Sequence, residues 1–264
     1  MKLMKYIDVH AHVFPDDVAP KVVEQLEGYY KMHWHGDGTF ADLNKSIEEA
    51  AVDRTVIFST ATKPTQVETI NNYISSLCRD NSRFIGFGTM HPDYQDIEKE
   101  IARFPLLGLK GLKLHPDFQG FNIDDPRMFP IYKAVGSSMP ILIHVGDENS
   151  DFSAPRRLAA VLDAMPDLVF IAAHFGGYCR WEEAKEYLIG RCNLYIDTSS
   201  CFHKFSFEFG RELTRLHGAD RVLFASDYPA VRQSEAVEHI LKMELTPEEN
   251  EMIFHLNAEK LLGI

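Results

Sequence analysis

The chain has 264 residues, a formal charge of −12 and a hydrophobic content of 45%. This composition is typical of globular proteins and excludes a largely disordered chain. The excess of acidic residues excludes a general affinity for nucleic acids or anionic membrane surfaces, because both partners are negatively charged. No apolar stretch of the sequence is long enough to span a membrane.

The four cysteines, Cys78, Cys179, Cys192 and Cys201, form no C-x-x-C pair. We interpret them as free thiols, which are typical of a reducing cytoplasm. A strand pattern begins at about residue 6, which leaves no room for a signal peptide. We therefore expect a cytoplasmic protein. Its expected partner is a small-molecule substrate, and a homodimer is one possible oligomeric state.

Short apolar runs alternate with helix-compatible segments along the chain. The eight runs are 6–13, 54–60, 84–90, 108–115, 140–146, 168–176, 194–200 and 221–228. This alternation predicts an α/β fold, a closed (β/α)8 TIM barrel that spans residues 1–264 as a single domain. An open doubly wound sheet is the alternative, but its strands would be apolar on both faces. It would also usually carry a glycine-rich phosphate loop, and no such motif occurs in the sequence.

The helices are clearest in the C-terminal half of the chain. Residues 155–165 place Leu158, Val161 and Leu162 on one stripe, which indicates an amphipathic helix. The sequence Thr246-Pro247-Glu248-Glu249 has the form of a capping box and predicts a helix from there to about residue 256. A last helical turn is expected over 258–262.

Polar residues alternate with apolar residues in several of the predicted strands. In the first strand, Asp8, His10 and His12 alternate with apolar residues, and in the sixth strand His174 has the same parity as Ala172. Successive side chains of a strand point to opposite faces. We therefore predict that the apolar set packs outward against the helices and that the polar set converges on the mouth of the barrel.

Six of the twelve histidines lie at the carboxyl ends of predicted strands. The H-x-H motif of His10 and His12 places two imidazoles on one face, where they could bind a cation or simply form hydrogen bonds. His144, His174 and Asp227 end the fifth, sixth and eighth runs. A satisfied core histidine explains any one of these residues, but not four histidines and a carboxylate on one rim. The combination predicts a metal site.

Six motifs distributed over nearly the whole chain carry a resemblance to a known family. They are D-V-H-A-H at 8–12, G-L-K-G-L-K-L-H-P at 108–116, I-L-I-H-V-G at 141–146, A-A-H-F-G-G at 172–177, F-A-S-D-Y-P at 224–229 and N-A-E-K-L-L at 257–262. With these motifs the sequence resembles the amidohydrolase superfamily of metal-dependent barrel hydrolases. Within it, the sequence is most similar to the amidohydrolase-related branch that includes aminocarboxymuconate-semialdehyde decarboxylase.

The resemblance implies a set of metal ligands. His10, His12, His144 and Asp227 would bind one divalent ion, usually zinc, and His174 would lie beside the metal-bound water. Such an ion with three imidazoles and one carboxylate has a net charge of about +1, which suits a carboxylated substrate.

Lys113 of the fourth strand has two interpretations. Binuclear relatives bridge two ions through a carboxylated lysine or a glutamate at this strand, and Lys113 is the candidate here. Because the resemblance is to the mononuclear branch, we favour a charged residue of the barrel interior that forms a salt bridge or binds an anionic substrate. Lys113 and Arg180 are considered as anchors for a substrate carboxylate.

The predicted reaction is hydrolysis of a small C–N or C–O bond by metal-activated water. Asp227 would accept the proton of the water and pass it to the leaving group, and His174 would orient the water or stabilise an oxyanion. The alternative is non-oxidative decarboxylation of an unsaturated or aromatic acid, because both reactions need the same ligands. A non-catalytic barrel is disfavoured by the presence of both Asp227 and His174.

Three residues are predicted to contact substrate: Lys113, His115 and Trp34. Trp34 lies in the long segment 14–40, which is predicted to form part of a lid or an oligomer contact. An aromatic patch packed on the barrel rim is an equal alternative for this segment. His115 and His91 follow strands, and either histidine could touch substrate or only bond a loop.

Overall fold

A computed structural model describes residues 4–264 and contains an eight-stranded parallel barrel. Its strands are β1 Ile7–His12, β2 Arg54–Phe58, β3 Phe84–Thr89, β4 Gly111–Leu114, β5 Ile141–Ile143, β6 Phe170–Ala172, β7 Leu194–Asp197 and β8 Val222–Leu223. Each strand pairs with its neighbour in sequence. The barrel closes where the Val9 N–H donates to the Phe224 carbonyl oxygen at 3.0 Å. The predicted TIM barrel is therefore confirmed, and residues 1–3 of the predicted range lie outside the described residues.

Helices connect the strands and cover the outside of the barrel. They are α1 Ala19–Tyr30, α2 Phe40–Glu49, α3 Val67–Cys78, α4 Ile97–Arg103, α5 Pro116–Gln119, α6 Phe129–Val135, α7 Pro155–Ala164, α8 Trp181–Tyr187, α9 Phe207–His217, α10 Gln233–Lys242, α11 Pro247–Glu251 and α12 Asn257–Leu262. The capping box is formed, since the Thr246 hydroxyl accepts from the Glu249 N–H at 3.2 Å. A π-helical turn over Met252–Leu256 joins α11 directly to α12, so the expected break before residue 258 is absent.

The polar residues of β1 do not share one face as predicted. The register between β1 and β2 shifts between Asp8 and Ala11, which is the geometry of a β-bulge. As a result Ile7 and Val9 pack with the apolar side chains inside the barrel. Asp8 faces the surrounding helices, whereas His10 and His12 beyond the bulge point into the mouth.

Buried Asp8 connects the mouth of the barrel to the surrounding helix layer through hydrogen bonds. Its carboxylate accepts hydrogen bonds from the His10 N–H at 3.0 Å and the Ser226 hydroxyl at 2.6 Å. It also accepts from the Gln233 side-chain amide of α10 at 3.0 Å. Asp8 therefore fixes the bulge that aims His10, and it is not part of the inward polar set.

His174 reaches the mouth by a route that strand alternation does not predict. Ile171 and Ala173 of the β6 segment pack inside the barrel, and Ala172 packs outward. Continued alternation would therefore direct His174 outward. The chain instead leaves the strand with φ values of 60° at His174 and 50° at Phe175, in the left-handed region. This turn brings the imidazole back into the mouth.

No helix within residues 4–264 is long and apolar enough to cross a bilayer. The four cysteines are free thiols, as interpreted from their spacing. Cys201 is buried, and its thiol donates to the Ser199 carbonyl oxygen at 2.8 Å.

Candidate metal centre

Three predicted ligand atoms from β1 and the end of β8 meet in the mouth of the barrel. The Nε2 atom of His10 lies 3.3 Å from Nε2 of His12 and 3.1 Å from Oδ1 of Asp227. The third edge of this triangle, from His12 Nε2 to Asp227 Oδ1, is 3.4 Å. Ligands about 2.0–2.1 Å from a tetrahedral zinc ion are about 3.3–3.4 Å apart. The spacing of the three atoms therefore fits a single ion of this size.

The two remaining histidines lie beside this triangle. Nδ1 of His144 is 2.9 Å from Nε2 of His174. Because the other nitrogen of His144, Nε2, donates to the Gly146 carbonyl oxygen at 2.7 Å, its Nδ1 is left unprotonated and able to bind a metal. His10, His174 and Asp227 also present ligand atoms within 4.8 Å of one another. His174 is thus within reach of the triangle and His144 contacts His174, whereas His144 as the fourth ligand stays a prediction.

Gly146 holds the loop after β5 close to the chain after β6. Its φ of +87° lies in the left-handed region, and a Cβ at this position would lie 2.4 Å from the Tyr178 carbonyl oxygen. A glycine is therefore required for the backbone approach that positions the acceptor of the His144 imidazole.

Asp197 is a residue of the site that was not predicted from the sequence. Its Oδ2 accepts from Nδ1 of His10 at 2.8 Å, and its Oδ1 accepts from the His174 N–H at 3.0 Å. A carboxylate behind a ligating histidine fixes the tautomer and orientation of the ring. The signal was available, because Asp197 ends the seventh strand on the face opposite Ile196.

Asp227 is held in place by its backbone and its side chain. Its N–H donates to the His10 carbonyl oxygen at 2.8 Å, and the Ser200 hydroxyl donates to its Oδ2 at 2.6 Å. Its φ of 65° is left-handed. Burial raises the pKa of Asp227, but His10 and the hydrogen bonds from His10 and His12 outweigh burial and hold the pKa well below its usual range.

Three of the four histidines at the site are in the protonation state that suits a cation. Burial lowers the pKa of His12 to about 4 and the pKa values of His144 and His174 to about 3. These imidazoles are therefore neutral near pH 7, which is the form that binds metals. Burial and the charge of Lys113 lower the pKa of His10, but Asp227 and Asp197 outweigh them, so its pKa is raised.

Lys113 points into the barrel interior, as its strand parity predicts. Its Nζ lies 3.2 Å from Nε2 of His10 and 4.8 Å from the ring centroid of Phe58. Burial lowers the pKa of Lys113 to about 8, although Asp197 and Asp227 oppose this shift. Within the described chain it forms no ion pair, so the salt bridge considered for it is not formed, and binding of an anionic substrate stays a prediction.

Arg180 does not serve as the anchor considered for a substrate carboxylate. Its guanidinium donates to Asp151 at 2.9 Å and to Glu183 at 3.3 Å, and it does not line the cavity at the site. His91 is also absent from the cavity wall, and its Nδ1 accepts from the Asp93 N–H at 3.2 Å. Both side chains bond to neighbouring loops or helices.

His115 and Trp34 both line the cavity. The His115 ring stacks on the His144 ring, with centroids 4.1 Å apart, and its Nε2 lies 3.1 Å from the Tyr30 hydroxyl. Trp34 is 6% exposed, and its Nε1 has no hydrogen-bond partner in the described chain. An unpaired buried donor in a cavity wall can be satisfied by a bound molecule.

The cavity above the ligand triangle has a volume of about 790 Å³. Segment 14–40 forms much of its wall, through α1 and through residues on both sides of that helix. A lid or an oligomer contact formed by this segment stays a prediction. Most of the wall is apolar.

The fold and the site together define a class of protein. Imidazole and carboxylate ligand atoms converge at the carboxyl ends of the strands of a (β/α)8 barrel, which is where barrel enzymes bind metals and substrates. The chain belongs to the amidohydrolase family, since the family model described as Amidohydrolase matches residues 7–264. The resemblance noted from the motifs is thereby confirmed.

Individual relatives are similar to this chain over different lengths. The 2-amino-3-carboxymuconate-6-semialdehyde decarboxylase of Dictyostelium discoideum is 30% identical over 109 residues, which are 38% of this chain and 30% of that protein. The 2,6-dihydroxybenzoate decarboxylase from Rhizobium superposes with a TM-score of 0.75 at 17% identity, over 99% of each chain.

A third relative contains a metal ion. The 5-carboxyvanillate decarboxylase of Novosphingobium aromaticivorans, solved with manganese and 4-hydroxy-3-methoxy-5-nitrobenzoic acid, superposes with a TM-score of 0.74 at 19% identity. The match covers 99% of this chain and 96% of that one. At these identities the structural likeness shows the fold.

The prediction of hydrolysis is wrong. All three of these relatives are decarboxylases, which agrees with the alternative reaction considered for the sequence. The physical reason for the error is that both reactions use the same ligands, so the ligand pattern could not separate them.

Proposed function

We propose that this enzyme is a metal-dependent, non-oxidative decarboxylase of a hydroxylated aromatic or unsaturated carboxylic acid. The observation that carries the proposal is the triangle of His10, His12 and Asp227 ligand atoms at the base of a mainly apolar cavity. The decarboxylase relatives support this reaction.

The apolar cavity favours loss of carbon dioxide. A carboxylate concentrates its charge on two oxygens, whereas decarboxylation spreads that charge over the rest of the substrate and releases a neutral product. An apolar wall solvates the spread charge better than the concentrated one. The reaction is therefore assisted by exclusion of water from the cavity.

His10, His12, His144 and Asp227 are the proposed ligands of one divalent ion. Bound there, the ion would attract the oxygens of the substrate and stabilise the negative charge of the reaction. Imidazole ligands suit zinc, and the carboxylate also suits manganese. We propose zinc, with manganese as the alternative suggested by the metal in the Novosphingobium structure.

Asp227 and His174 are the groups proposed to move the proton. The carbon–carbon bond to the carboxyl group breaks, its electron pair stays on the substrate carbon, and a proton must be added there. Both side chains are unprotonated near neutral pH, since the pKa of Asp227 is well below its usual range and the pKa of His174 is about 3. Asp227 can accept the proton of a substrate hydroxyl group and return it to the carbon.

Three further residues are proposed to bind the substrate. Lys113 offers positive charge to its carboxylate, Trp34 offers an unpaired N–H, and His115 offers a ring face and a polar edge. A cytoplasmic location, a homodimer and one domain over residues 1–264 stay predictions.

A panel of hydroxylated benzoic acids and unsaturated dicarboxylic acids tests the proposal. The enzyme is stripped with a chelator, reloaded separately with Zn²⁺ or Mn²⁺, and assayed for release of carbon dioxide. We expect release from at least one acid only with the metal present. Full activity after chelation, or no release from any acid by protein with one bound ion, would contradict the proposal.

A further inference from the structure

We propose that the substrate carries an apolar extension beyond its carboxylated head, an aryl group or an alkyl chain that occupies the outer arm of the cavity. The outer arm is the part of the cavity lined by Val18, Val22, Leu26, Ile70 and Tyr73. We call the part of the cavity at His10, His12 and Asp227 the metal end. The inference rests on the proposed function, because that function places the carboxylate of the substrate at the metal end.

Two helical faces line the outer arm. Val18, Val22 and Leu26 recur every four residues, so they form one row along α1 and the residue before it. Ile70 and Tyr73 are three residues apart and form a similar pair on α3. This part of the cavity wall therefore contains two regular apolar rows.

In the row on α1, Leu26 packs partly against the core, whereas Val18 and Val22 do not. Of the twelve residues of α1, only Ala19 is fully buried. Val18 is 40% exposed and Val22 is half-buried. An amphipathic helix normally buries its apolar row against the protein core. Here that row faces the cavity, and an apolar ligand would remove it from water.

The size of the cavity exceeds what a single ring needs. Its 790 Å³ lie in the upper part of the range of about 300–1,000 Å³ that is usual for drug-sized ligands. A single carboxylated ring at the metal end would leave the outer arm to water. Ordered water needs about two to four polar partners, and the side chains of the two rows offer only the Tyr73 hydroxyl.

Exposed polar residues of α1, α3 and the segment before α3 also line the cavity. They are Lys21, Gln25, Thr65 and Thr69. A polar or charged end group of the substrate could bind there, beyond the apolar rows. The arm itself therefore selects an apolar segment between the metal end and these exposed polar residues.

Binding of a homologous series tests the inference without relying on turnover. The probes are 2-hydroxybenzoate and its 4-ethyl, 4-hexyl and 4-phenyl derivatives, titrated calorimetrically into Mn²⁺-loaded protein. We expect one molecule per chain and an affinity that rises about two- to fourfold per added methylene. Comparison of the hexyl and phenyl probes decides between an alkyl and an aryl extension.

Two matched variants locate the effect on the cavity side of α1. Val22→Trp fills the outer arm and is expected to reduce the affinity ratio of the hexyl probe to 2-hydroxybenzoate to about one. Glu24→Trp places the same ring on an exposed position of the same helix that does not line the cavity. This control is expected to keep the ratio of the unaltered protein.

The failure of this inference differs from the failure of the proposed function. Affinities that do not rise with the substituent, or a ratio that Val22→Trp leaves unchanged, would overturn the inference even if 2-hydroxybenzoates release carbon dioxide. Conversely, the expected binding series without release of carbon dioxide from any acid would uphold the apolar arm and reject decarboxylation.

Discussion

The metal end of the cavity consists of polar groups held by hydrogen bonds, whereas the outer arm consists mainly of apolar side chains. At the metal end His10 and His144 are buried, and most of the proposed ligands are fixed by a second bond, as Asp197 fixes His10 and Ser200 fixes Asp227. The outer arm has half-exposed apolar side chains such as Val22, with no directional bonds. A reaction centre needs fixed angles, whereas an apolar segment needs only volume and dry surface.

This difference predicts where a substitution acts. A change at the metal end should act on metal content and turnover, because most of the proposed ligands there are held by a second bond. A change in the outer arm should act on which acid binds. A change at a buried histidine outside the cavity should act on stability alone.

The largest effect is expected for removal of a ligand. His10→Ala deletes one corner of the ligand triangle, so kcat/KM for decarboxylation should fall by at least about 10³-fold, with loss of bound metal. Elemental analysis and the carbon dioxide assay measure both quantities. His33→Ala is the control, because its side chain is 84% exposed and bonds only to Glu27. A metal-replete, active His10→Ala variant would remove His10 from the site.

A smaller loss is expected behind the ligands. Asp197→Asn keeps the shape of the side chain but weakens the acceptor of the His10 Nδ1–H, so metal affinity should fall about 10- to 100-fold. Competition with a chelating dye measures this affinity. Asp163→Asn, on the surface and bonded to Arg191, is the matched control. An unchanged metal affinity would mean that Asp197 does not orient His10.

His217 is a buried neutral histidine outside the cavity. Its Nδ1 accepts from the Gly190 N–H at 3.2 Å, and its Nε2 donates to the Leu194 carbonyl oxygen at 3.0 Å. Burial lowers its pKa from 6.5 to about 4. Between these values the unfolded chain binds more protons than the folded one, so stability is lost as the pH falls from about 6.5 towards 4.

The His217→Gln variant isolates this contribution. The unaltered protein should lose about 2 kcal/mol more of its free energy of unfolding than the variant between pH 7.5 and pH 5. Urea unfolding at both pH values measures the difference, and metal content at pH 7.5 should be the same in both proteins. Equal losses would show that His217 does not titrate as inferred.

The smallest effect is expected for Trp34, which also lines the cavity. Trp34→Phe keeps an aromatic ring in the cavity wall but removes the unpaired N–H, so KM should rise about five- to tenfold with little change in kcat. Steady-state kinetics with the best acid of the panel tests this. An unchanged KM would mean that Trp34 only packs against the wall.

The sequence alone determined the barrel and most of the metal end. Eight apolar runs with helical segments between them admit few folds, and parallel strands of a barrel bring their carboxyl ends to one rim. His10, His12, His144 and Asp227 therefore had to lie near one another once the barrel closed. The capping box at Thr246 was likewise a local property, since its partners are three residues apart.

Only the tertiary structure decided how these residues are held and what the cavity admits. The bulge between Asp8 and Ala11 reverses the inward face of β1, and the left-handed turn at His174 reverses that of β6. Such backbone irregularities depend on partners from distant segments, as Gln233 for Asp8, which strand alternation does not contain. The apolar arm is equally a tertiary property, because it exists only where the rows of α1 and α3 border the same space.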